Sequence, residues 1–251
     1  MMSIANGAIL DAPVAPKVSV VICTIGQPPL VNCCISETRR LATLPIEIIL
    51  VDNGSTERES TTLATIKPNV LLHHPDALGY AAANNAGIAA SHGEYVLLLN
   101  NDAWPTRRGW DARLISVLQG VPDAMLVAPT APRVYWTDQH ANGPQAENCE
   151  LIDARNVAFV AVMLRRSTLD AIGPLDERFL VGAFEDDDYC LRIRKAGGRI
   201  LVDPACFFFH VGSMTMQPLY EAVLPTNHQL FLDKWKDDSY YVETTINQTS
   251  G

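Results

Sequence analysis

The sequence predicts an α/β fold built on a mostly parallel central sheet. Three observations carry that prediction. From Val18 to Leu99, apolar β-rich runs alternate with helical stretches, the order that builds parallel strands with right-handed crossovers. Tyr95 to Leu99 is an apolar run without charge between Gly93 and Pro105, as expected of a strand buried on both faces. Two of the runs end abruptly in polar residues: Val51 gives way to Asp52-Asn53-Gly54-Ser55, and Leu99 to Asn100-Asn101-Asp102. The ends of parallel strands are where an open α/β sheet places its ligand crevice.

Met1 to Pro16 is small, Pro-containing and weakly patterned, and reads with Lys17 as a flexible lead-in, 1–17. Val18 to Cys23 is a first buried strand, Thr24 to Pro29 a turn, and Leu30 to Leu41 a helix from the spacing of Leu30, Val31, Cys34, Ile35 and Leu41. Ile46 to Val51 is a second strand. Thr56 to Ile66 is a helix and Val70 to His73 a short strand. The Ala-rich stretch Gly79 to Ser91 is helical, with Gly93 just past its end as a stop. After the Tyr95 strand come a helix over Trp110 to Leu118 and a strand over Met125 to Ala128. Pro129 to Glu150 is polar and irregular, the character of a functional loop. Val157 to Leu164 returns to strand, and Ser167 to Ile172 is a short helix stopped by Gly173-Pro174. Glu185-Asp186-Asp187-Asp188 opens a helix that ends in Arg192, Arg194 and Lys195 before Gly197-Gly198, the charge order a helix dipole favours. Two strands, Arg199 to Val202 and Cys206 to Phe209, bracket Asp203-Pro204. Leu224 to Trp235 is an amphipathic helix, and 237–251 a polar tail.

The 251 residues are 48% hydrophobic and 19% charged, ordinary for a globular protein. The net charge of −9 argues against a general nucleic-acid binder, which needs a basic face. None of the six cysteines forms a CxxC pair, so free buried thiols in a reducing compartment are expected, and no zinc site. The N-terminus lacks the pattern of a signal peptide, and no apolar run has the length of a membrane span. The expected location is cytoplasmic, with at most peripheral contact at the inner face of a membrane.

There is no GxGxxG after a strand, no Walker A loop, no HExxH and no GxSxG. What remains is a set of acids at strand ends and loop edges, Asp52, Asp102 and Glu185 to Asp188, with His210 after the last strand. Taken alone, Asn100-Asn101-Asp102 is either a polar turn or a carboxylate able to hold a hard divalent ion and, through it, phosphate oxygens.

In order along the chain stand Val18 to Thr24, Val51 to Ser55, Gly79-Tyr80-Ala81-Ala82-Ala83-Asn84-Asn85-Ala86-Gly87-Ile88, Leu97 to Asp102, Ile172 to Phe179, Glu185 to Arg192, and His210. Each is loose, but their order resembles family 2 glycosyltransferases, of the bacterial rhamnosyltransferase-like type. Asn227, Phe231 and Lys234-Trp235 resemble that family's C-terminal helix. The resemblance implies a GT-A fold, Rossmann-like with a mixed sheet, over 18–236. A nucleotide-sugar-binding half would span 18–128, and an acceptor half 129–236. It further implies a nucleotide-sugar donor (UDP- or dTDP-linked favoured), Mn²⁺ or Mg²⁺, a glycan or glycolipid acceptor, and inversion at the anomeric carbon. Carried over by residue, Thr24 and Asp52 lie at the base, Gly79 allows close backbone approach, and Asn85 faces ribose or phosphate. Asn100, Asn101 and Asp102 stand at the family's DXD metal motif, whose first position is here an amide. Asp102 and His210 would hold the metal. Asp186 would be the base that takes the acceptor proton, and Glu185 would orient the acceptor. Asp187 and Asp188 read as solvated acids of the helix start, with Asp188 paired to Arg192 on the surface. Ile25-Gly26-Gln27 departs from the family, which carries an aromatic residue with Asn or Arg there. Two other readings share parts of this pattern: a sugar nucleotidyltransferase, which should carry a basic Gly-rich loop after the first strand, and a non-catalytic sugar-nucleotide or glycan-binding module.

Overall fold

The computed structural model describes residues 15–134, 138–212 and 217–241; most of the lead-in and the end of the polar tail lie outside them. The elements are β1 (Val18–Thr24), α1 (Pro28–Leu41), β2 (Ile46–Asn53), α2 (Glu57–Ala64), β3 (Val70–His74), α3 (Tyr80–Ala89), β4 (Tyr95–Asn100), β5 (Ala103–Pro105), α4 (Trp110–Gly120), β6 (Ala124–Thr130), β7 (Ile152–Asp153), β8 (Ala161–Arg165), α5 (Arg166–Ile172), α6 (Glu185–Lys195), β9 (Arg199–His210) and α7 (Gln217–Trp235). The strands form a nine-stranded mixed sheet ordered β3-β2-β1-β4-β8-β6-β9-β5, with β7 paired to β9. β3, β2, β1 and β4 are parallel. β8 enters antiparallel between β4 and β6, and β9 runs parallel to β6 but antiparallel to β5 and β7.

Side-chain alternation splits the core in two. Val18, Val20, Ile22, Ile48, Leu50, Leu97 and Leu99 face α1 and α4. Val21, Ile49, Val51, Val96 and Leu98 face α3 and α6. Each such side chain contributes about 1.5–3 kcal/mol on burial. The alanine run of α3 is a packing feature: Ala81 and Ala83 are buried, and a Cβ on Gly87 would sit 2.3 Å from Val21 Cγ1. Only small residues let α3 lie that close to β1.

Four local expectations change. The strand expected from Val157 begins at Ala161; Val160 still takes a last ladder bond from Asn100, while residues 157–159 turn to other partners. The two strands expected around Asp203-Pro204 are one, β9, with a register shift between Asp203 and Phe207. Proline has no N–H for the ladder, and the bulge absorbs it. Arg113 braces this point through two bonds to the buried Asp203, at 2.6 and 3.0 Å. β5 and β7, too short to show a period in sequence, were not anticipated. In the polar 129–150 stretch, Gln139 is wholly buried and bonds both the N–H and C=O of Ala158.

α7 packs on α6 through Phe179, Leu191, Phe231 and Trp235. At the centre lies Asp188, wholly buried rather than on a solvated helix face. One oxygen takes the expected bond from Arg192 Nε at 3.0 Å. The other meets Lys234 Nζ at 2.6 Å and Trp235 Nε1 at 2.9 Å. Lys234 also reaches Asp176 at 2.7 Å. Removing one member of a buried ion cluster strands the others. Asp188→Ala is therefore expected to lower unfolding free energy by about 3 kcal/mol. Lys236→Ala, which breaks an exposed pair with Asp233, should cost less than about 1 kcal/mol. Urea unfolding compares them; equal effects would refute the buried role of Asp188.

Candidate active site

The parallel strands end level. Thr24 pairs with Asp52, Cys23 with Asn100, and Asn53 with His74. This puts every polar strand end on one edge. Thr24 Oγ1 donates to Gly26 O and accepts from Asn101 Nδ2, both at 2.8 Å, tying the exits of β1 and β4 together. Asp52 sits at the expected strand end but has no exposed surface. Its oxygens accept from Ser55 N–H at 3.2 Å and lie 2.9 Å from His73 Nδ1. Burial works to raise its pKa, but bonds from Ser55, Ser60 and His73 outweigh that and hold it below the usual range. The carboxylate builds its own turn. Gly79 (φ +89°) begins α3 and lies against Val181, where Tyr80 N–H donates to Val181 O at 3.0 Å. Asn85, expected to face ribose or phosphate, is engaged by partners within the protein. Its amide accepts from Leu175 N–H and donates to Leu175 O and to Glu177, all at 2.9 Å. This brackets α3 to the segment after α5, an exchange between chain regions that local sequence does not show.

Asp102 and His210 meet. β5 runs antiparallel to β9 with Ala103 opposite His210, which brings His210 Nε2 to 3.5 Å from Asp102 Oδ1. Both residues are 4% exposed. His210 Nδ1 lies 3.2 Å from Pro132 O. A carbonyl only accepts, so Nδ1 carries a proton; in the neutral ring that leaves the lone pair on Nε2, the tautomer a metal-ligating histidine uses. The other Asp102 oxygen accepts from Gly212 N–H at 3.2 Å. A hard carboxylate and a neutral imidazole suit a divalent cation. Among the described residues no third His, Cys, Asp or Glu joins them.

The acids of α6 occupy a different environment. Glu185 is buried and its Oε2 has no partner; burial, then the charge of Asp186, push its pKa well up. Burial raises Asp186 to about 6, against the backbone N–H groups of Asp187 and Phe159 that favour its charged form. Asp187 is raised to about 7 by burial and by Asp186, and its Oδ1 accepts from Asn156 Nδ2 at 2.8 Å. Asp187 is thus half-buried and hydrogen-bonded. Residues 156–160 join this cluster to the strand-end edge. Phe159 N–H serves Asp186, Phe159 O accepts from Tyr80 OH at 2.7 Å, and Val160 O accepts from Asn100 N–H at 2.8 Å. Asp186 therefore stands one residue of backbone away from the Asn100-Asn101-Asp102 exit. Asn156, Phe159 and the carbonyl of Pro132 carry no sequence signal, since two of the three act through backbone groups.

Among solved structures, the mannosyltransferase PcManGT of Pyrobaculum calidifontis, in complex with GDP-Man and Mn²⁺, superposes with TM-score 0.67 over 90% of this chain and 66% of that one, at 17% identity. GalNAc-T7 with UDP, GalNAc and Mn²⁺ gives 0.62 over 79% and 44%, also at 17% identity. At that identity they show the shared fold. The pre-mycofactocin glycosyltransferase of Mycobacterium tuberculosis is 31% identical over 191 residues, 70% of this chain and 40% of that protein. The PGL/p-HBAD biosynthesis glycosyltransferase of Mycobacterium bovis is 25% identical over 183 residues, 71% and 70% of the two chains. This chain thus spans well under half of the first relative's length. The family model described as glycosyl transferase family 2 matches residues 19–173. Covered over the greater part of its length by that model, and folded as a GT-A domain, the chain belongs to glycosyltransferase family 2.

Proposed function

We propose that this domain transfers a sugar, with inversion, from a nucleotide-sugar donor to a hydroxyl of a glycan or glycolipid acceptor. The observation that carries the reading is the Asp102–His210 pair on the strand-end edge with a raised-pKa aspartate, Asp186, across one backbone segment. The donor diphosphate would lie against Asp102 and His210, which would hold Mn²⁺ or Mg²⁺; bound there, the cation neutralises charge on the departing diphosphate. Asn100 and Asn101 offer amide groups to the sugar and ribose, and the Thr24 turn and Gly79 leave backbone at the nucleotide end. Inversion needs in-line attack from the face opposite the leaving group, with a base on the acceptor side. Asp186 fits that base, since a carboxyl near pKa 6 both holds and releases a proton close to neutrality. The buried Glu185, whose carboxyl burial pushes well up in pKa, has an unpartnered oxygen, Oε2, that suits it to orienting an acceptor hydroxyl. No described helix is long and apolar enough to cross a membrane. A lipid-linked acceptor would then be met at a surface.

The metal assignment is tested by thermal shift with UDP, dTDP and GDP in the presence and absence of Mn²⁺. Ligands that bind only the native state raise its stability. At least one diphosphate should stabilise the protein in a Mn²⁺-dependent way, and Asp102→Ala should abolish that increment, His210→Ala weaken it. An increment that survives Asp102→Ala removes Asp102 from the metal.

Asp186→Asn keeps shape but loses the proton acceptor. Release of nucleoside diphosphate from the donor should fall about 10²–10⁴-fold, with diphosphate affinity in Mn²⁺ nearly unchanged by calorimetry. In the unaltered protein, kcat should rise with pH through about 6, because the base works only when deprotonated.

Stability should move the other way. Raised folded-state pKa values mean the native state binds protons more tightly than the unfolded chain, so unfolding free energy falls as pH rises from the unfolded aspartate range, near 4, to about 7. In Asp186→Asn that slope should be smaller. Urea midpoints that do not vary over this range would show that the acids are not held as described.

A further inference from the structure

The segment that delivers the acids to the site is unusual. Val181, Gly182, Ala183 and Phe184 have φ of +64°, +155°, +78° and +71°. A left-handed run of three non-glycine residues, one of them β-branched, persists only when its surroundings hold it. On one side Val181 O takes the N–H of Tyr80 at 3.0 Å. On the other stands Asn227 of α7, 1% exposed. Its Nδ2 donates to Leu180 O at 3.0 Å, Gly182 O at 2.8 Å and Ala183 O at 3.1 Å. One amide nitrogen thus gathers three carbonyls of the strained turn. Its Oδ1 is buried without a partner. Leaving a buried acceptor unpaired is costly, and what the side chain supplies in return is its NH₂ group. One residue along α7, the His228 ring stacks on Phe184 at 5.2 Å, and Phe231 lies 5.7 Å from the same ring. Phe184 caps α6, and its carbonyl takes the N–H of Asp188 at 2.9 Å. The conformation of this turn therefore sets the first turn of α6.

We propose that Asn227 is a positioning residue for transfer: by holding the Leu180–Phe184 turn in its left-handed path, it fixes Glu185 and Asp186 against the backbone of Phe159. Its catalytic consequence rests on the reading of Asp186 as the base; the positioning itself does not. Asn227 forms no bond to either acid, so it acts through the turn.

The test uses Asn227→Ala in the full chain, with hydrogen exchange and a ¹³C carboxyl titration. The amides of Glu185 to Asp187 should exchange at least about tenfold faster while those of β1 stay unchanged, because the release is local. The Asp186 titration, followed together with Glu185 and Asp187 and with Arg155 facing Asp187, should drop from about 6 towards the ordinary aspartate range as burial is lost. Affinity for UDP with Mn²⁺ should stay within about twofold while kcat falls. Ala183→Gly, which accepts a left-handed φ without strain, should recover part of both losses in the double variant. Asn227→Ser, which keeps one donor, gives the same comparison if the alanine variant does not fold. Unchanged exchange and titration in a folded variant, or equal loosening of β1 and α6, overturns the proposal. If the acids are released as described but Asp186→Asn leaves transfer intact, the base assignment fails and the positioning stands.

Discussion

The site hangs from the ladder on both sides of β4. This strand is apolar on both faces and lies between β1 and β8, so every backbone group along it needs a partner on a neighbouring strand. β1 satisfies one side in parallel, and β8 the other in antiparallel sense. The last bond of that second ladder, Asn100 N–H to Val160 O, lies where β4 opens into Asn101 and Asp102. The antiparallel return brings in residues 156–160 from the second half of the chain, and there Phe159 gives its carbonyl to Tyr80 and its N–H to Asp186. One satisfied strand thus fixes the spacing between the Asp102–His210 pair and the α6 acids.

Two kinds of carboxylate follow from two kinds of surroundings. Asp188 and Asp203 are as buried as any residue in the chain, yet each is met by cationic partners, Arg192 and Lys234 in one case and Arg113 in the other. They are structural. Glu185 is buried and Asp186 and Asp187 half-buried without comparable cations, and their pKa values rise. Environments that push neighbouring carboxyls apart separate acid–base groups from brackets. Adjacent positions on one helix therefore do different work: Asp188 turns towards α7, while Asp186 turns towards Phe159.

α7 is part of the site's architecture through its contacts with α6 and the turn before it. Through Trp235, Lys234 and Phe231 it closes over α6, and through Asn227 and His228 it holds the turn before α6. Strain in that turn is offset by packing some distance from the acids, a division common where a site needs a conformation that the chain alone disfavours.

The sequence by itself determined the α/β class, the order of the main strands and helices, and the residues at the strand exits. Periodicity and charge-free runs report burial directly, and turn chemistry reports where a strand must stop. Motif order also singled out Asp102, Asp186 and His210 as candidates, and the fold places the first and last of them together. Tertiary structure alone decided what each side chain does there. Asp52, Asn85 and Asp188 read as exposed or ligand-facing from their neighbours in sequence; their partners within the protein are His73, Leu175 and Lys234, 21 to 90 residues distant. The β5–β9 pairing that joins Asp102 to His210 involves a three-residue strand, too short to show a period. Such contacts depend on where separate elements come to rest, and no local pattern of residue types encodes that.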